Sequence, residues 1–221
     1  MKKYLINFAQ EGKMIILSMM FMSILFYLLY YSFESIFFLY GFYIVTFLFI
    51  VTCFFFRDPI RMINMKDSNE FLSPADGKIV SIKHISDPDI GESIKIAIFL
   101  SFFNVHRQWV PLNSKVLKIN YNPGKYFVAS KDKASLDNEQ SSILFNDSNS
   151  NSFRIKQIAG FVARRIVNHM ESNMLVKKGD KLGFIKFGSR VEIIVPNNFK
   201  LNVKKGQHVK GCKTIIGQFK S

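Results

Sequence analysis

Gly188 and Ser189 form a residue pair that can cleave its own peptide bond. Attack of the Ser189 hydroxyl on the Gly188 carbonyl would convert the peptide into an ester. β-Elimination would then release an N-terminal dehydroalanine that hydrolyses to a pyruvoyl group, so the chain would make its own cofactor. Taken alone, however, the pair predicts an ordinary turn, because Gly and Ser are among the commonest turn residues. The surrounding sequence must therefore decide between the two interpretations.

The pair belongs to an ordered series of short motifs. The series comprises FRDP at 56–59, SPADG at 73–77, NVH at 104–106 with Pro111 after it, DKAS at 132–135 with Asn138 and Glu139, QIAGFVARRI at 157–166, VKKGD at 176–180 and FGSR at 187–190. In order and spacing it resembles the short, bacterial-type phosphatidylserine decarboxylases, from about residue 56 to the C-terminus. Several motifs in one order are much harder to obtain by chance than a single dipeptide.

The resemblance implies a pyruvoyl-dependent enzyme that is made as a proenzyme. Cleavage between Gly188 and Ser189 would leave a large chain, 1–188, and a small chain that begins with the pyruvoyl group at position 189, and the two would stay associated. The pyruvoyl carbonyl would form a Schiff base with the substrate amine and act as the electron sink while phosphatidylserine loses carbon dioxide to become phosphatidylethanolamine. No lysine has a recognisable pyridoxal phosphate context and no metal-ligand spacing occurs, so neither cofactor is expected.

Asp76 and His106 are the acid–base candidates that match motifs of the family. Longer members use the aspartate of this motif with a histidine to activate the serine, in an Asp-His-Ser arrangement. Their pattern has two histidines three residues apart, and here Trp109 occupies the second position. His106 matches the first histidine, which the family associates with decarboxylation or protonation of the substrate. Either His106 serves both steps, or self-cleavage depends on strain and on Asp76 alone.

Arg164, Arg165 and His169 are candidate contacts for the lipid headgroup. An arginine pair suits bidentate recognition of a phosphodiester, although a tandem pair is as often an exposed helix face. The apolar residues between 163 and 171 share one helical face, so this segment is the best helical candidate of the soluble part.

Arg190 and Glu192 follow the scissile pair at the start of a predicted strand. A surface salt bridge explains them at least as well as a catalytic role, because alternating charges at a strand start are common. Both interpretations stay open at the level of sequence.

Two apolar runs predict a membrane-anchoring helical hairpin over residues 1–62. Residues 14–31 and 36–56 each approach the ~20 residues that a helix needs to cross a bilayer. Lys and Arg flank the outer ends, whereas the connecting turn holds only Glu34, so the positive-inside rule places both ends and the catalytic domain on the cytoplasmic face of the cell membrane. A cleaved signal peptide is the alternative, but no small-residue cleavage site follows the first run. Whether the hairpin spans the bilayer or only embeds is left open.

Residues 63–221 predict a mostly β catalytic domain of the α+β class, because short β-branched runs alternate with turn residues. The runs are 78–82, 93–102, 114–121, 153–161, 180–187, 191–195 and 214–219. The motif VKKGD at 176–180 recurs as VKKGQ at 203–207, and such hairpins resemble those of lipoyl- and biotinyl-type barrel sandwiches. The polar segment 146–152 is expected to be a loop or hairpin tip. Residues 125–140 are either a mobile active-site loop or a long connection.

Charge and cysteine content limit the classes of binding partner and the possibility of a disulfide. The net charge of +14 is spread along the β domain without an aromatic-studded basic stripe or a helix-turn-helix pattern, which argues against nucleic acid. Attraction to anionic lipid headgroups suits a membrane-tethered chain better. Cys53 and Cys212 would lie in the bilayer and in the soluble domain respectively, so no disulfide is expected.

Three functions remain compatible with these patterns. The first is decarboxylation of phosphatidylserine, and the second is decarboxylation of another serine phospholipid, such as the ether-linked archaetidylserine type. The third is a non-enzymatic, membrane-tethered barrel-sandwich module that binds a partner. The sequence does not decide whether copies of the chain assemble into a homo-oligomer.

Overall fold

The computed structural model forms two compact units, Met1–Ile60 and Arg61–Ser221. The residues that it describes are 6–63, 69–124, 138–160, 165–186 and 189–219. Each unit has its own secondary structure, and each is described separately below.

The first unit is a helical hairpin closed by a short antiparallel ribbon. Its elements are β1 (Ile6–Phe8), a 3₁₀ turn (Gln10–Gly12), α1 (Lys13–Phe33), α2 (Ile36–Phe55) and β2 (Arg57–Pro59), with β1 paired to β2. Both helices are long and apolar enough to cross a membrane. Most of their large apolar side chains are exposed in the protein alone, as expected for surfaces that face lipid. The two predicted apolar helices are confirmed.

The turn between the helices is tight, and the helices approach closely. Glu34 has a left-handed backbone with φ 48°, and its N–H donates to the carbonyl of Tyr30 at 2.8 Å, which ends α1. Farther along, the hydroxyls of Ser23 and Thr46 lie 2.7 Å apart across the pair. A hydroxyl bond between helices satisfies both groups where water is scarce.

The described residues of the second unit form three antiparallel sheets. Its strands are β3 (Glu70–Leu72), β4 (Gly77–Asp87), β5 (Gly91–Leu100), β6 (Arg107–Trp109), β7 (Ser114–Asn122), β8 (Gln140–Asn146), β9 (Ser152–Ala159), β10 (Ile166–Asn168), β11 (Leu175–Val176), β12 (Lys181–Ile185), β13 (Ser189–Pro196), β14 (Phe199–Leu201), β15 (His208–Val209) and β16 (Ile215–Phe219). The main sheet has the order β11-β7-β8-β9-β13-β5-β4-β15, and the smaller sheets have the orders β10-β12-β6 and β14-β16-β3. The expectation of a mostly β domain is confirmed.

Strand β13 lies inside the main sheet, between β9 and β5. One face of β13 places Val191, Ile193 and Val195 in the hydrophobic core, all fully buried. Aromatic rings fill the core, where Phe71 packs edge-on against Phe153 with the ring centroids 5.1 Å apart. The strand that begins at Ser189 is therefore held by both neighbours and by the core.

The two related pentapeptides form matching turns. Gly179 has φ 90° and Gly206 has φ 89°, a conformation in which glycine is favoured. In the first turn the N–H of Lys177 donates to the side chain of Asp180 at 2.7 Å, and in the second the N–H of Lys204 donates to the side chain of Gln207 at 3.1 Å. The internal repeat seen in the sequence is thus a repeated backbone geometry.

The helix predicted between 163 and 171 is wrong for the part of that segment that the structure describes. Residues 166–168 form strand β10, which pairs with β12 through the register Ile166 to Ile185. β-Branched Ile166 and Val167 favour extended backbone, and pairing with β12 outweighs the helical spacing of the apolar residues. The polar segment 146–152 does form the tip of a hairpin, between β8 and β9.

Candidate active site

Ser189 is the first residue of β13, and its backbone lies between Leu100 of β5 and Ala159 of β9. Gly188 lies outside the described residues, so only the strand side of the proposed scissile bond can be described. Both neighbours of Ser189 are the last residues of their strands. The bond to Gly188 therefore belongs to one end of the main sheet.

The backbone of Ala159 is fixed from the side opposite Ser189. Its N–H donates to the carbonyl of Glu139 at 2.9 Å, and its carbonyl accepts from the Nδ2 of Asn138 at 2.7 Å. Asn138 is fully buried. The N–H and the carbonyl of a strand residue point to the same side, and in Ala159 both point toward Asn138 and Glu139. Ala159 and Ser189 therefore form a closely spaced antiparallel pair without direct backbone hydrogen bonds.

Glu139 is a buried carboxylate with 3% exposure. Its Oε1 accepts from the backbone N–H of Ile166 at 3.2 Å and from the hydroxyl of Tyr121 at 2.8 Å. No donor of the described part of the chain bonds to its Oε2. Asn138 and Glu139 already stood out as a family motif, but their contacts could not be predicted from the motif.

His106 follows the loop that leaves β5 directly after Leu100. The ring is fully buried, and its Nδ1 lies 3.0 Å from the carbonyl of Asn104. A carbonyl can only accept, so Nδ1 carries the proton and Nε2 of the neutral ring is the basic nitrogen. The loop is braced because the N–H and hydroxyl of Ser101 each donate to Asn104 Oδ1 at 2.8 Å. A short, hydrogen-bonded turn therefore separates His106 from Leu100, the end of β5 that pairs with Ser189.

The backbone of His106 is tied to the strand that leads toward the scissile bond. Its carbonyl accepts from the N–H of Ile185 at 3.3 Å and from Nε2 of Gln108 at 2.6 Å. Gln108 Oε1 in turn accepts from Nε2 of Gln157 at 2.9 Å, and both amides are fully buried. Gln157 is the first residue of the motif at 157–166, but neither glutamine was predicted to be functional, because nothing in their local pattern distinguishes a buried amide pair from surface residues.

Asp76 is held by Arg61. Its two carboxylate oxygens accept from the Nη1 and Nη2 of Arg61 at 2.5 and 2.7 Å, and Oδ1 also accepts from the N–H of Gly211 at 2.8 Å. The Arg61 guanidinium lies 4.2 Å above the ring of Trp109. The tryptophan that stands at the second histidine position therefore contacts the arginine that binds Asp76.

Arg190 and Glu192 form an ion pair with Nη2 and Oε1 2.9 Å apart, and each side chain is only 1% exposed. The salt bridge considered for this pair does form, but it is buried rather than at the surface. Residues two apart share one face of a strand, and here that face is covered as well as the core face. The Nζ of Lys95 adds a longer contact of 3.9 Å to Glu192.

The candidate headgroup contacts are described only in part. Arg165 is exposed, and its carbonyl accepts from the N–H of Lys186 at 3.2 Å. His169 is exposed, and its N–H donates to the carbonyl of Leu182 at 3.0 Å. Arg164 lies outside the described residues. Their contact with lipid stays a prediction.

Comparisons with known proteins identify the relatives of this site. Residues 48–217 match the family model described as phosphatidylserine decarboxylase. The chain is 45% identical over 171 residues to the phosphatidylserine decarboxylase proenzymes of Rickettsia typhi and Rickettsia prowazekii, covering 75% of this chain and 74% of each relative. The proenzyme of Rickettsia africae is 44% identical over the same length.

Proposed function

The chain belongs to the phosphatidylserine decarboxylase family, and we propose that it matures by cutting itself between Gly188 and Ser189. Its activity is the decarboxylation of phosphatidylserine to phosphatidylethanolamine and carbon dioxide. Membership of this family makes it an enzyme, so the alternative of a non-enzymatic binding module is set aside. The observation that supports the cleavage site best is the position of Ser189 at the head of a central strand.

The surroundings of Ser189 fit a pyruvoyl group at the start of a new chain. Cleavage would leave residue 189 at the N-terminus of β13, still aligned with Leu100 and Ala159. A chain end fixed by strands on both sides keeps its reactive carbonyl in one position, which is the preorganisation that catalysis requires. The pyruvoyl carbonyl supplies an electron sink for the pair of electrons left when carbon dioxide departs.

His106 is the group that delivers the proton to the carbon that has lost carbon dioxide. The carbonyl of Asn104 holds its Nδ1 proton, which directs proton exchange to Nε2. Full burial excludes bulk water as the competing proton source. Arg165 and the neighbouring Arg164 and His169 are assigned to the lipid headgroup, where a guanidinium matches the charge and geometry of a phosphodiester.

The apolar hairpin anchors the enzyme in the cell membrane with the catalytic unit in the cytoplasm. Two apolar helices support membrane association, and the lysines and arginines outside their ends support the orientation. The matched glycine turns at 179 and 206 support an arrangement of lipoyl-like hairpins in the catalytic unit. The large and small chains remain associated, since β13 of the small chain pairs only with strands of the large one.

The decisive experiment compares the wild type with Ser189→Ala. Wild-type protein purified in detergent is expected to give two masses, for residues 1–188 and for a pyruvoyl-blocked chain 189–221. Ser189→Ala should give one mass and no carbon dioxide release from phosphatidylserine, because it lacks the hydroxyl. Ser148→Ala, at the exposed hairpin tip, is the matched control and should cleave as the wild type does. A fully active, uncut wild-type chain would overturn the proposal.

A further inference from the structure

Self-cleavage requires a group that takes the proton of the Ser189 hydroxyl, and the inference below rests on the proposed cleavage at Gly188–Ser189. A hydroxyl is a weak nucleophile until a base removes its proton. Trp109 has no basic group, so the long-type histidine is absent from its usual place. The base must therefore be sought among the buried groups around the head of β13.

Two buried carboxylates in this region are already engaged. Both oxygens of Asp76 accept from Arg61, and one also accepts from Gly211. Glu192 is paired with Arg190 at 2.9 Å. In each case a guanidinium already lies against the carboxylate, so a serine hydroxyl would have to displace it. Neither group is well suited to deprotonate a serine.

Glu139 differs from Asp76 because one of its oxygens accepts no hydrogen bond from a described donor, and from Glu192 because no described Lys or Arg side chain is paired with it. Oε1 accepts two hydrogen bonds, from Ile166 and Tyr121, while no described donor bonds to Oε2. Leaving a buried polar atom unpaired costs about 1–3 kcal/mol, more for a charged group. A catalytic role is one of the established reasons why a protein keeps such an atom. Since Oε1 is held on one side, the reactive oxygen is Oε2.

Hydrogen bonds connect Glu139 to the strands that pair with both segments of chain that converge on the scissile bond. On one side its carbonyl accepts from Ala159, the residue opposite Ser189. On the other side its carboxylate binds the N–H of Ile166, which pairs with Ile185, three residues before Gly188. Glu139 is thus bonded to β9 and β10, the strands that pair with β13 beyond the bond and with β12 before it.

We propose that Glu139 is the proton acceptor for Ser189 in self-cleavage. Oε2 takes the hydroxyl proton as Ser189 Oγ bonds to the Gly188 carbonyl carbon. The carbon–nitrogen bond then breaks, and the same proton passes to the departing amine, which leaves an ester between Gly188 and the Ser189 side chain. Loss of the Ser189 Cα proton and cleavage of the Cβ–Oγ bond release the Gly188 carboxylate and dehydroalanine. Water then converts the dehydroalanine to pyruvoyl with release of ammonia.

Glu139→Gln tests this step with little change in shape. The Gln carbonyl still accepts from Ile166 and Tyr121, but the amide nitrogen at the place of Oε2 takes no proton. Freshly synthesised Glu139→Gln should remain a single chain by intact mass, with cleavage slowed about 10²- to 10⁴-fold. Its thermal unfolding should match that of uncut Ser189→Ala. Glu92→Gln, an exposed carboxylate on β5, is the matched control and should cleave normally.

Hydroxylamine identifies the step that fails, because it cleaves esters and leaves peptide bonds intact. Glu139→Gln should not be cut by hydroxylamine, since without the base no ester forms. If hydroxylamine releases residues 1–188 as a hydroxamate, the ester forms without Glu139 and the proposal is overturned. It is likewise overturned if Glu139→Gln matures at the wild-type rate, although self-cleavage itself would then stand. An uncut wild type would instead overturn the proposed function.

Glu139→Asp provides a second test, which holds even if Glu139→Gln and Glu139→Asp both lower the stability of the protein. Aspartate retains a carboxylate at a shorter reach, so it should cleave slowly but measurably faster than glutamine at the same position. Faster cleavage by the Gln variant than by the Asp variant would show that Glu139 acts only through the hydrogen bonds of Oε1.

Discussion

Arg61 joins Asp76 to Trp109 through two kinds of interaction. It gives two charge-assisted hydrogen bonds to the carboxylate and places its planar face on the indole ring. A cation over a tryptophan face contributes about 2 kcal/mol when it is shielded from water. Because the guanidinium side chain is only 5% exposed, loss of Asp76 would leave a buried positive charge without its partner. We therefore expect variants of Asp76 to lose stability whatever its part in the chemistry.

His106 can be separated from self-cleavage by substitution. His106→Ala should still give two chains, at least in part, because the proposed proton acceptor for Ser189 is Glu139. Carbon dioxide release in a single turnover should fall about 10²- to 10⁴-fold, the usual cost of removing a positioned proton donor. His84→Ala, at an exposed site on β4, provides the control. Normal turnover by His106→Ala would contradict the assignment.

Motifs singled out Ser189 and His106 as candidates, but not the residues that position them. The contacts of Arg61 reach Asp76 across 15 positions and Gly211 across 150, and no local pattern encodes such pairs. Glu139 is also a partner of distant residues, since Ile166 lies 27 positions away. A sequence shows which side chains have suitable chemistry, whereas the topology of the sheets determines which of them meet.

At the scale of elements, Arg154 joins three strands. It donates to Asp87 at the end of β4 through Nε and Nη2, both at 3.0 Å, and to Ser142 of β8 at 3.1 Å, and it also pairs with Asp89. Burial by itself would raise the pKa of Asp87. The hydrogen bonds and charge of Arg154, with the N–H of Asp89, outweigh burial and hold the pKa below its ordinary value.

The lowered pKa of Asp87 predicts an acid-sensitive connection between β9 and β4. Its contribution to folding is complete above the ordinary aspartate pKa of about 3.9 and is lost as the pH falls below that value. In the uncut Ser189→Ala background, Asp87→Asn should lower the stability by about 1–3 kcal/mol at pH 7. The loss should shrink toward pH 3, as measured by thermal unfolding in detergent. Lys118→Ala, whose exposed ammonium lies 4.0 Å from Asp89, should change little. An equal loss for Asp87→Asn at pH 7 and pH 3 would contradict the linkage.

Strands were predicted more accurately than the helix of the catalytic unit. Strand β7 was expected at 114–121 and runs from Ser114 to Asn122, because alternation and turn residues are local signals. The spacing between 163 and 171 fits a helix equally well, and only pairing with β12 decides against it. Whether a short apolar segment forms a helix or a strand is therefore decided by the strands that pair with it, and not by the spacing of its own apolar residues.

At the scale of the whole molecule, the apolar hairpin should make the enzyme an integral membrane protein. Its side chains are too apolar for basic charge alone to account for attachment. The protein should stay in the membrane fraction after alkaline carbonate and 1 M salt, and detergent should release it. Release by salt alone would show that the hairpin does not insert.

Cysteine labelling in intact cells tests the orientation of the same hairpin. In a Cys53→Ala background, Ser35→Cys should react with an impermeant maleimide from outside if the hairpin spans, whereas Ser148→Cys should react only after permeabilisation. Burial raises the pKa of the Cys212 thiol to about 12, so this residue should stay protonated and unlabelled at neutral pH. Labelling of Ser148→Cys in intact cells would place the catalytic unit outside the cytoplasm and would contradict the proposed orientation.

If the chain is cut at the proposed site, the central position of β13 changes the reaction order of refolding. The precursor carries every strand of the main sheet on one polypeptide, so its folding is a first-order process. After cleavage, β13 and β15 belong to one molecule while their partners β5, β9 and β4 belong to another. An unfolded mature enzyme must then recover by a second-order encounter, whose rate falls with dilution. Maturation at this strand would therefore make recovery from unfolding slow at low protein concentration, whereas the first folding of the precursor does not depend on concentration.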